Sequence, residues 1–94
     1  MTMKYRIRRN KSYRKSYKLC ENRGYNMELL DNIVYQLANG NRLDAKHNDH
    51  KLHGKYTDYR ECHIEPDWLL IYKIENDKLI LTLTNTGTHS DLFY

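Results

Sequence analysis

The stretch of sequence that decides the fold is residues 59–84, YRECHIEPDWLLIYKIENDKLILTLT. Residues 59–64 and 79–84 alternate between two kinds of side chain, which is the pattern of strands with two different faces. Residues 68–74 between them are almost continuously apolar, as in a central strand covered on both faces. Pro66 lacks an amide hydrogen and marks the turn before that central strand. The stretch therefore predicts a three-stranded antiparallel meander.

A strand and a first helix are predicted upstream of the meander. Residues 4–9 alternate apolar and basic side chains, the period of a half-buried strand. A helix then starts at Asn10 or Ser12, since either side chain is able to accept a hydrogen bond from the free amides of a first turn. Gly24 provides the left-handed conformation that ends this helix.

The second predicted helix has the strongest pattern in the chain. Asn26 caps its first turn, and an apolar stripe recurs with helical period through residues 27–38. The pair Asn39-Gly40 provides a left-handed stop. A link of about two or three residues between the helices predicts a helical hairpin. We therefore expect one α+β domain over residues 1–94, with the hairpin on one face of an antiparallel sheet.

Residues 41–58 are polar, have no period and contain three of the five histidines. A segment of this length in a small domain is typical of a functional surface loop. The spacing His47-x-x-His50-x-x-His53 leaves a zinc-binding loop open as an alternative. However, no thiol lies nearby, and a loop does not fix ligand geometry as a helix does.

The composition indicates a small cytoplasmic protein with one modest core. The chain has 94 residues, of which 39% are hydrophobic, and it contains no apolar run of membrane-spanning length. Its basic start is not followed by an apolar stretch, so we expect no secretory signal. Cys20 and Cys62 lack metal-type spacing and are expected to be free thiols.

Positive charge is concentrated at the start of the chain. Residues 1–23 contain nine lysines and arginines against Glu21 alone, a balance of +8, whereas residues 24–94 have a balance of −4. Such a field attracts phosphates or an acidic protein, although a solvated basic helix face explains the pattern equally well. The charge alone leaves both interpretations open.

The histidines are the strongest candidates for chemistry. Strand ends bring His63, Asp67 and His89 together in the predicted topology, and the polar loop adds His50. Imidazole exchanges protons near neutral pH, so histidines beside a carboxylate can provide an acid and a base. An acid and a base of this kind suit RNA as the substrate, because its 2′-hydroxyl is able to attack the adjacent phosphate without any metal or other cofactor. The polar sheet face that carries Glu61 and His63 is where we expect the site.

Several separated blocks in the second half of the chain resemble one family of bacterial toxins. They are Asp49-His50-x-Leu52-x-Gly54, Tyr59-Arg60-x-x-His63-Ile64-Glu65-Pro66-Asp67-Trp68, Leu70-Ile71-Tyr72-Lys73 and Thr86-Gly87-Thr88-His89-Ser90-x-Leu92-Phe93. Together, and in this order, they are similar to the YafQ branch of the RelE/ParE toxins. The resemblance is dense over the last half of the chain and rests on element order over the first half.

The resemblance implies a RelE-like fold and the toxin of a type II toxin–antitoxin system. It implies an endoribonuclease that cuts mRNA in the A site of the 70S ribosome, neutralised by an acidic antitoxin of the DinJ/RelB type. The matching catalytic positions are His50, His63, Asp67 and His89.

The motif also marks substrate-binding positions. These are the aromatic residues Trp68 and Phe93, together with Arg60. The chain departs from the family just before the Thr-Gly-Thr-His block, where relatives often have an arginine and this chain has Asn85. Losing such a charge typically costs about 2.7–4 kcal/mol of transition-state stabilisation unless another group replaces it. The candidates for that replacement are Arg60, Lys51, Lys55 or a protonated histidine.

Two other functions remain open at this stage. A ParE-like toxin inhibits DNA gyrase by binding alone, and such a surface needs no cluster of proton-transfer groups. A basic RNA- or protein-binding module, impaired as an enzyme by Asn85, would bind RNA with strong salt dependence and not cleave it.

Overall fold

The computed structural model describes residues 3–93, so residues 1, 2 and 94 of the predicted domain lie outside the described part. The elements, in chain order, are β1 (Arg6–Arg9), α1 (Lys11–Asn22), α2 (Met27–Ala38), β2 (His50–Lys51), β3 (Arg60–Glu65), β4 (Trp68–Glu75), β5 (Ile80–Gly87) and α3 (His89–Phe93). Short 3-10 helices occupy Ala45–His47 and Gly54–Tyr56. The predicted α+β class is confirmed, with its strand, two helices and meander in the expected order.

Asparagine side chains begin both long helices, as the sequence predicts. The Oδ1 atom of Asn10 accepts a hydrogen bond from the amide of Tyr13 (3.0 Å). Asn26 caps α2 in the same way by accepting from the amide of Glu28 (3.2 Å). Gly24 and Gly40 follow the helices with positive φ angles of 85° and 79°. Among residues 3–93, no helix is long and apolar enough to cross a membrane.

The five strands form one sheet in the order β1-β5-β4-β3-β2. The pairs β2–β3, β3–β4 and β4–β5 are antiparallel, as predicted for the meander. The expectation of a wholly antiparallel sheet was wrong in one place, since β1 pairs with β5 in parallel. The helical hairpin carries the chain away from β1, so no tight turn forces these two strands to run in opposite directions.

The helices cover one face of the sheet and form the core with it. The buried side chains alternate along the strands and recur with helical period in α2. They include Leu30, Ile33, Val34, Leu37 and Ala38 from α2, Tyr13 and Cys20 from α1, and Cys62, Leu70, Tyr72, Leu81 and Leu83 from the sheet. The opposite face of β3, which carries Glu61 and His63, is therefore left for other contacts.

A β-bulge in β5 changes which side chains face the helices. Ile71 pairs with Asn85 and Tyr72 pairs with Leu83, so Thr84 has no partner in the ladder. Before the bulge Leu83 faces the core, and after it Thr86 is the buried residue. Without the extra residue, Asn85 would point toward the helices. The bulge instead places Asn85 on the face that carries Glu61.

Two segments are more ordered than the sequence pattern suggested. The stretch predicted as a surface loop, residues 41–58, contains β2 and both short 3-10 helices. The stretch predicted as a tail continues β5 to Gly87 and then forms α3. Short strands and single-turn helices depend on contacts with the rest of the molecule, which a periodicity of a few residues does not reveal.

Candidate active site

The candidate site lies on the sheet face opposite the helices. His50 pairs with Glu61 in the register of β2 and β3, which puts their side chains on the same face. His63 lies two residues beyond Glu61 on β3 and shares this face. The nearest Glu61 oxygen lies 3.9 Å from Nε2 of His50 and 3.4 Å from Nε2 of His63. One carboxylate therefore lies between two imidazoles.

His89 joins this face from the start of α3. Asp67, in the turn between β3 and β4, accepts a hydrogen bond from the backbone amide of His89 (3.0 Å). The same carboxylate oxygen lies 2.6 Å from Nδ1 of the His89 ring. These two bonds, the amide first and the ring second, lower the pKa of Asp67 below that of an ordinary aspartate. Asp67 is therefore ionised near neutral pH and fixes the His89 ring from one side.

The three rings form a row, which we call the histidine row (His50, His63 and His89). Ring centroids are 6.5 Å apart for His50 and His63, and 5.8 Å apart for His63 and His89. Their side chains keep 41%, 22% and 49% of their surface exposed, so all three are reachable from solvent. The predicted convergence of His63, Asp67 and His89, with His50 beside them, is present in the structure.

The two outer rings are held through the same nitrogen atom. Nδ1 of His50 lies 2.6 Å from the carbonyl oxygen of Asn48, which is only able to accept a hydrogen bond. This contact therefore requires the proton to be on Nδ1. Because Asp67 engages Nδ1 of His89, both outer histidines have Nε2 left for proton exchange. Two such nitrogens on one open surface are able to act as a general acid and a general base.

Glu61 is a site residue that the sequence analysis placed on the correct face without assigning it a role. It is only 6% exposed, which is unusual for a carboxylate. Its neighbours His50 and His63 explain how the charge is tolerated there. The alternation of side chains along β3 was the signal in the sequence that placed Glu61 on this face. The burial of Glu61 depends on β2, which the sequence pattern did not predict.

Glu61, His63 and His89 are also able to act together as metal ligands. One ligand atom from each lies within 4.8 Å of the others, and carboxylate and imidazole are common ligands of transition metals. The alternative zinc loop is not supported, because within residues 3–93 the groups with suitable spacing do not include His47 or His53. Nδ1 of His47 instead contacts the carbonyl oxygen of His63 at 2.7 Å and braces β3.

The predicted cations do not join the histidine row. Strand alternation places Arg60 on the opposite face from Glu61 and His63, where its Nε donates to Asp49 (3.2 Å). Lys51 pairs with Arg60 in the sheet register. Lys55 lies in the second 3-10 helix, with its Nζ 5.4 Å from the centroid of the Tyr56 ring. These residues lie away from the row, and their replacement of the expected arginine charge stays a prediction.

The two predicted aromatic contacts have different outcomes. Trp68 is 2% exposed, packs edge-on against Tyr25 and donates its indole N–H to Oγ1 of Thr86 (3.0 Å). Its ring is therefore packed in the core, and the substrate-binding role of Trp68 stays a prediction. Phe93 is 40% exposed and its ring centroid lies 6.5 Å from that of His89. Its ring is available for stacking beside the row.

Asn85 lies on the same sheet face as the histidine row, at the position where the family resemblance leads us to expect arginine. It shares its partner Ile71 with Glu61, so the three residues form one line across the sheet. Its Oδ1 accepts a hydrogen bond from the amide of Thr86 (3.0 Å). The site face thus carries a neutral amide at this position.

Replacing His89 with alanine will raise the pKa of Asp67 part of the way toward that of an ordinary aspartate, because the ring bond is lost while the backbone bond remains. Carbon-13 NMR titration of the carboxyl group measures this change, with His53→Ala as the control. Because the pKa of Asp67 is lowered in the folded protein, its ionised form stabilises the fold fully at pH values above the ordinary aspartate pKa. This stabilisation is lost as the pH falls through the lowered pKa. An unchanged Asp67 pKa in His89→Ala would contradict the assigned pairing.

Comparison with known proteins supports the resemblance seen in the sequence. The family model described as "Bacterial toxin of type II toxin-antitoxin system, YafQ" matches residues 5–94. The mRNA interferase toxin YafQ of Escherichia coli strain K12 is 44% identical over 82 residues, which cover 86% of this chain and 87% of the relative. The protein of the same name from strain B/BL21-DE3 is 42% identical over the same shares of both chains.

Solved structures have the same architecture. The toxin in the E. coli DinJ–YafQ complex superposes with a TM-score of 0.89 and 35% identity, covering 96% of this chain and 99% of that one. A metal-bound toxin from Helicobacter pylori gives a TM-score of 0.89 and 38% identity, covering 95% of this chain and 99% of that one. The family match over nearly the whole chain agrees with the fold and with the histidine row. The chain belongs to the YafQ family of bacterial toxins of type II toxin–antitoxin systems.

Proposed function

We propose that this chain is a single toxin domain that acts as an endoribonuclease on mRNA. The observation that carries the proposal is the histidine row, whose outer rings are both held through Nδ1 and present Nε2 on an open surface. The E. coli relatives are named mRNA interferases, which gives RNA as the substrate class. RNA also fits the chemistry, because its own 2′-hydroxyl provides the nucleophile.

The proposed reaction is a transfer of the phosphoryl group to the neighbouring 2′-oxygen. A base removes the 2′-hydroxyl proton, the bond from O2′ to phosphorus forms, and the bond from phosphorus to O5′ breaks. An acid protonates the departing 5′-oxygen. The products are a 2′,3′-cyclic phosphate and a 5′-hydroxyl. The chain supplies the two proton transfers, so the step needs no metal ion or other cofactor.

The geometry favours His89 as the acid and His50 as the base. A carboxylate on Nδ1 fixes the ring and stabilises the protonated form that an acid must reach, and Asp67 occupies this position on His89. His50 lies at the other end of the row. Asp67 is placed on the acid side because it contacts His89 and not His50. His63 lies between the outer rings, with its Nε2 3.4 Å from a carboxylate oxygen of Glu61.

We propose that the ribosome supplies what this open site lacks. Within residues 3–93, the ion pairs of the histidine row involve only carboxylates, so we infer that the toxin holds a flexible mRNA partly by other means. The exposed arginines of β1 and the basic side chains of α1 give a surface for ribosomal RNA phosphates. The mRNA in the A site of the 70S ribosome, in the cytoplasm, is then the substrate.

An acidic antitoxin of the DinJ/RelB type is the proposed regulatory partner, since a related toxin is solved in complex with DinJ. A groove of about 720 Å³ lies between β1 and the two long helices. Arg9, Arg14, Tyr13, Tyr17 and Tyr35 line it, which combines positive charge with aromatic surface. Since β1 is an edge strand, its outer backbone groups are also free to pair with an added strand.

A binding module without catalysis is the second candidate, and Asn85 is the observation that favours it. Relatives often have arginine there, whereas this chain has a neutral amide on the site face. The gyrase-binding alternative finds no such support, because a binding surface does not need two rings held for proton transfer. Cleavage and binding therefore have to be separated by experiment.

The first test maps the 5′ ends of mRNA by primer extension after incubation with programmed ribosomes. Wild type is expected to cut within the A-site codon, and His89→Ala is expected to abolish the cuts because the acid is lost. His53→Ala is the matched control and is expected to cut normally, since His53 is exposed and outside the row. RNA binding by folded wild type without cleavage would favour the binding module.

Replacing Asn85 with arginine will raise the single-turnover cleavage rate by roughly tenfold to hundredfold, because it adds a cation on the sheet face of the histidine row, where the proposed reaction develops negative charge. Asn85→Gln, which lengthens the side chain but stays neutral, is the control and should not give this increase. Equal rates for Asn85→Arg and wild type would mean that another group already supplies the charge.

A further inference from the structure

Helix α3 is too short to hold its own orientation. It contains five residues, His89–Phe93, whereas isolated helices of this length are not stable in water. It nevertheless carries His89, the proposed acid, and Phe93, the exposed ring beside it. The positions of both side chains must therefore be fixed by contacts from outside the helix.

Asp91 is the centre of these contacts. Its Oδ2 accepts a hydrogen bond from the amide of Thr88 (2.9 Å), and its own amide donates to Oγ1 of Thr88 (3.1 Å). This reciprocal pair closes the first turn as a capping box does. Gly87 has a φ of +154°, and a Cβ at that position would lie 2.8 Å from Oδ2 of Asp91. Glycine is therefore needed for the carboxylate to lie against the backbone here.

Arg23 connects this carboxylate to the body of the protein. Nη1 of Arg23 donates to Oδ2 of Asp91 (2.6 Å), and Nη2 donates to Oδ1 (3.0 Å). Two parallel bonds fix the relative orientation of the groups as well as their distance. The backbone amide of Arg23 is itself bonded to the carbonyls of Leu19 (3.0 Å) and Cys20 (3.2 Å) at the end of α1. Because Cys20 lies in the core, the pair ties α3 to a rigid element.

We propose that Arg23 and Asp91 are positioning residues for RNA cleavage, and that their ion pair sets the placement of His89 and Phe93. This inference rests on the proposed function. Neither residue is required to contact RNA, since each acts through α3. The histidine row is thus fixed at its His89 end by two carboxylates, with Asp67 bonded to the ring and Asp91 holding the helix.

The ion pair is suited to positioning more than to global stability. The side chains of Arg23 and Asp91 are 35% and 25% exposed, and exposed ion pairs contribute little to the free energy of unfolding. Arg23 first, and the Thr88 amide second, hold the pKa of Asp91 well below its usual range, so the pair is charged at neutral pH. Loss of Arg23 should therefore alter α3 without unfolding the protein.

The kinetic test compares Arg23→Ala and Arg23→Lys with wild type in ribosome-dependent mRNA cleavage. We expect Arg23→Ala to lower kcat between about tenfold and hundredfold, because displacing a catalytic group by about 1 Å has effects of this size. KM should change less than about twofold, since no RNA contact is removed. Arg23→Lys keeps the charge without the paired geometry and should recover part of kcat.

Arg42→Ala is the control for the loss of one arginine charge. Arg42 is exposed, and it forms no ion pair within the described residues. It should keep wild-type kcat and KM. If Arg23→Ala also keeps wild-type kcat, or if it raises KM alone, the positioning role is overturned.

An NMR readout on the free protein separates this inference from the proposed function. In Arg23→Ala, we expect faster hydrogen exchange of the Leu92 amide, which bonds to the Thr88 carbonyl (3.1 Å), and a shifted Nδ1 resonance of His89. Unchanged signals would overturn the inference even if wild type cuts mRNA. If wild type does not cut mRNA, the proposed function fails, while shifted His89 signals in Arg23→Ala still support the placement of His89 by the ion pair. Should Arg23→Ala fail to fold, Arg23→Lys provides the same comparison.

Discussion

The alternation of side chains along β3 is the constraint on which both the core and the candidate site depend. Cys62 points toward the helices and is fully buried, while Glu61 and His63 on either side of it point to the opposite face. A register shift of one residue would turn the two titratable groups toward the helices and move the core residue to the site face. β2 and β5 extend the same face, so His50 and Asn85 are placed by their pairing with this sheet. One strand register therefore places both the core side chains and the side chains of the candidate site.

The site consists of a short row of imidazoles and two carboxylates, and within residues 3–93 none of its ion pairs involves a lysine or an arginine. Glu61 lies between His50 and His63, and Asp67 fixes His89. Arg60 is held on the other face by Asp49. The proposed mechanism draws positive charge for the phosphate from the imidazoles or from the ribosome, which would connect the open site with the basic surface of β1 and α1. The side chain of Asn85 is neutral, so it adds no positive charge to the site.

The sequence predicted local features well and long-range ones poorly. Asparagine caps and apolar stripes located α1 and α2, because these signals lie within a few neighbouring residues. The parallel pairing of β1 with β5 and the bulge at Thr84 depend on contacts across the sheet, so no local pattern revealed them. In the site, the family motif predicted His50, His63, Asp67 and His89, and the structure brings them together. It did not predict the burial of Glu61 or the pairing of Arg23 with Asp91, which are 68 residues apart.

The most direct test of this account is the chemical identity of the ends produced when the wild-type toxin cuts ribosome-bound mRNA, determined by mass spectrometry. Attack by the 2′-hydroxyl, with the histidine row exchanging the protons, predicts a 2′,3′-cyclic phosphate on the upstream fragment and a 5′-hydroxyl on the downstream one. A single 2′-deoxy nucleotide at the cleavage position should abolish the cut. A 3′-hydroxyl and a 5′-phosphate, or undiminished cleavage of the 2′-deoxy substrate, would mean that water is the nucleophile and would contradict the mechanism.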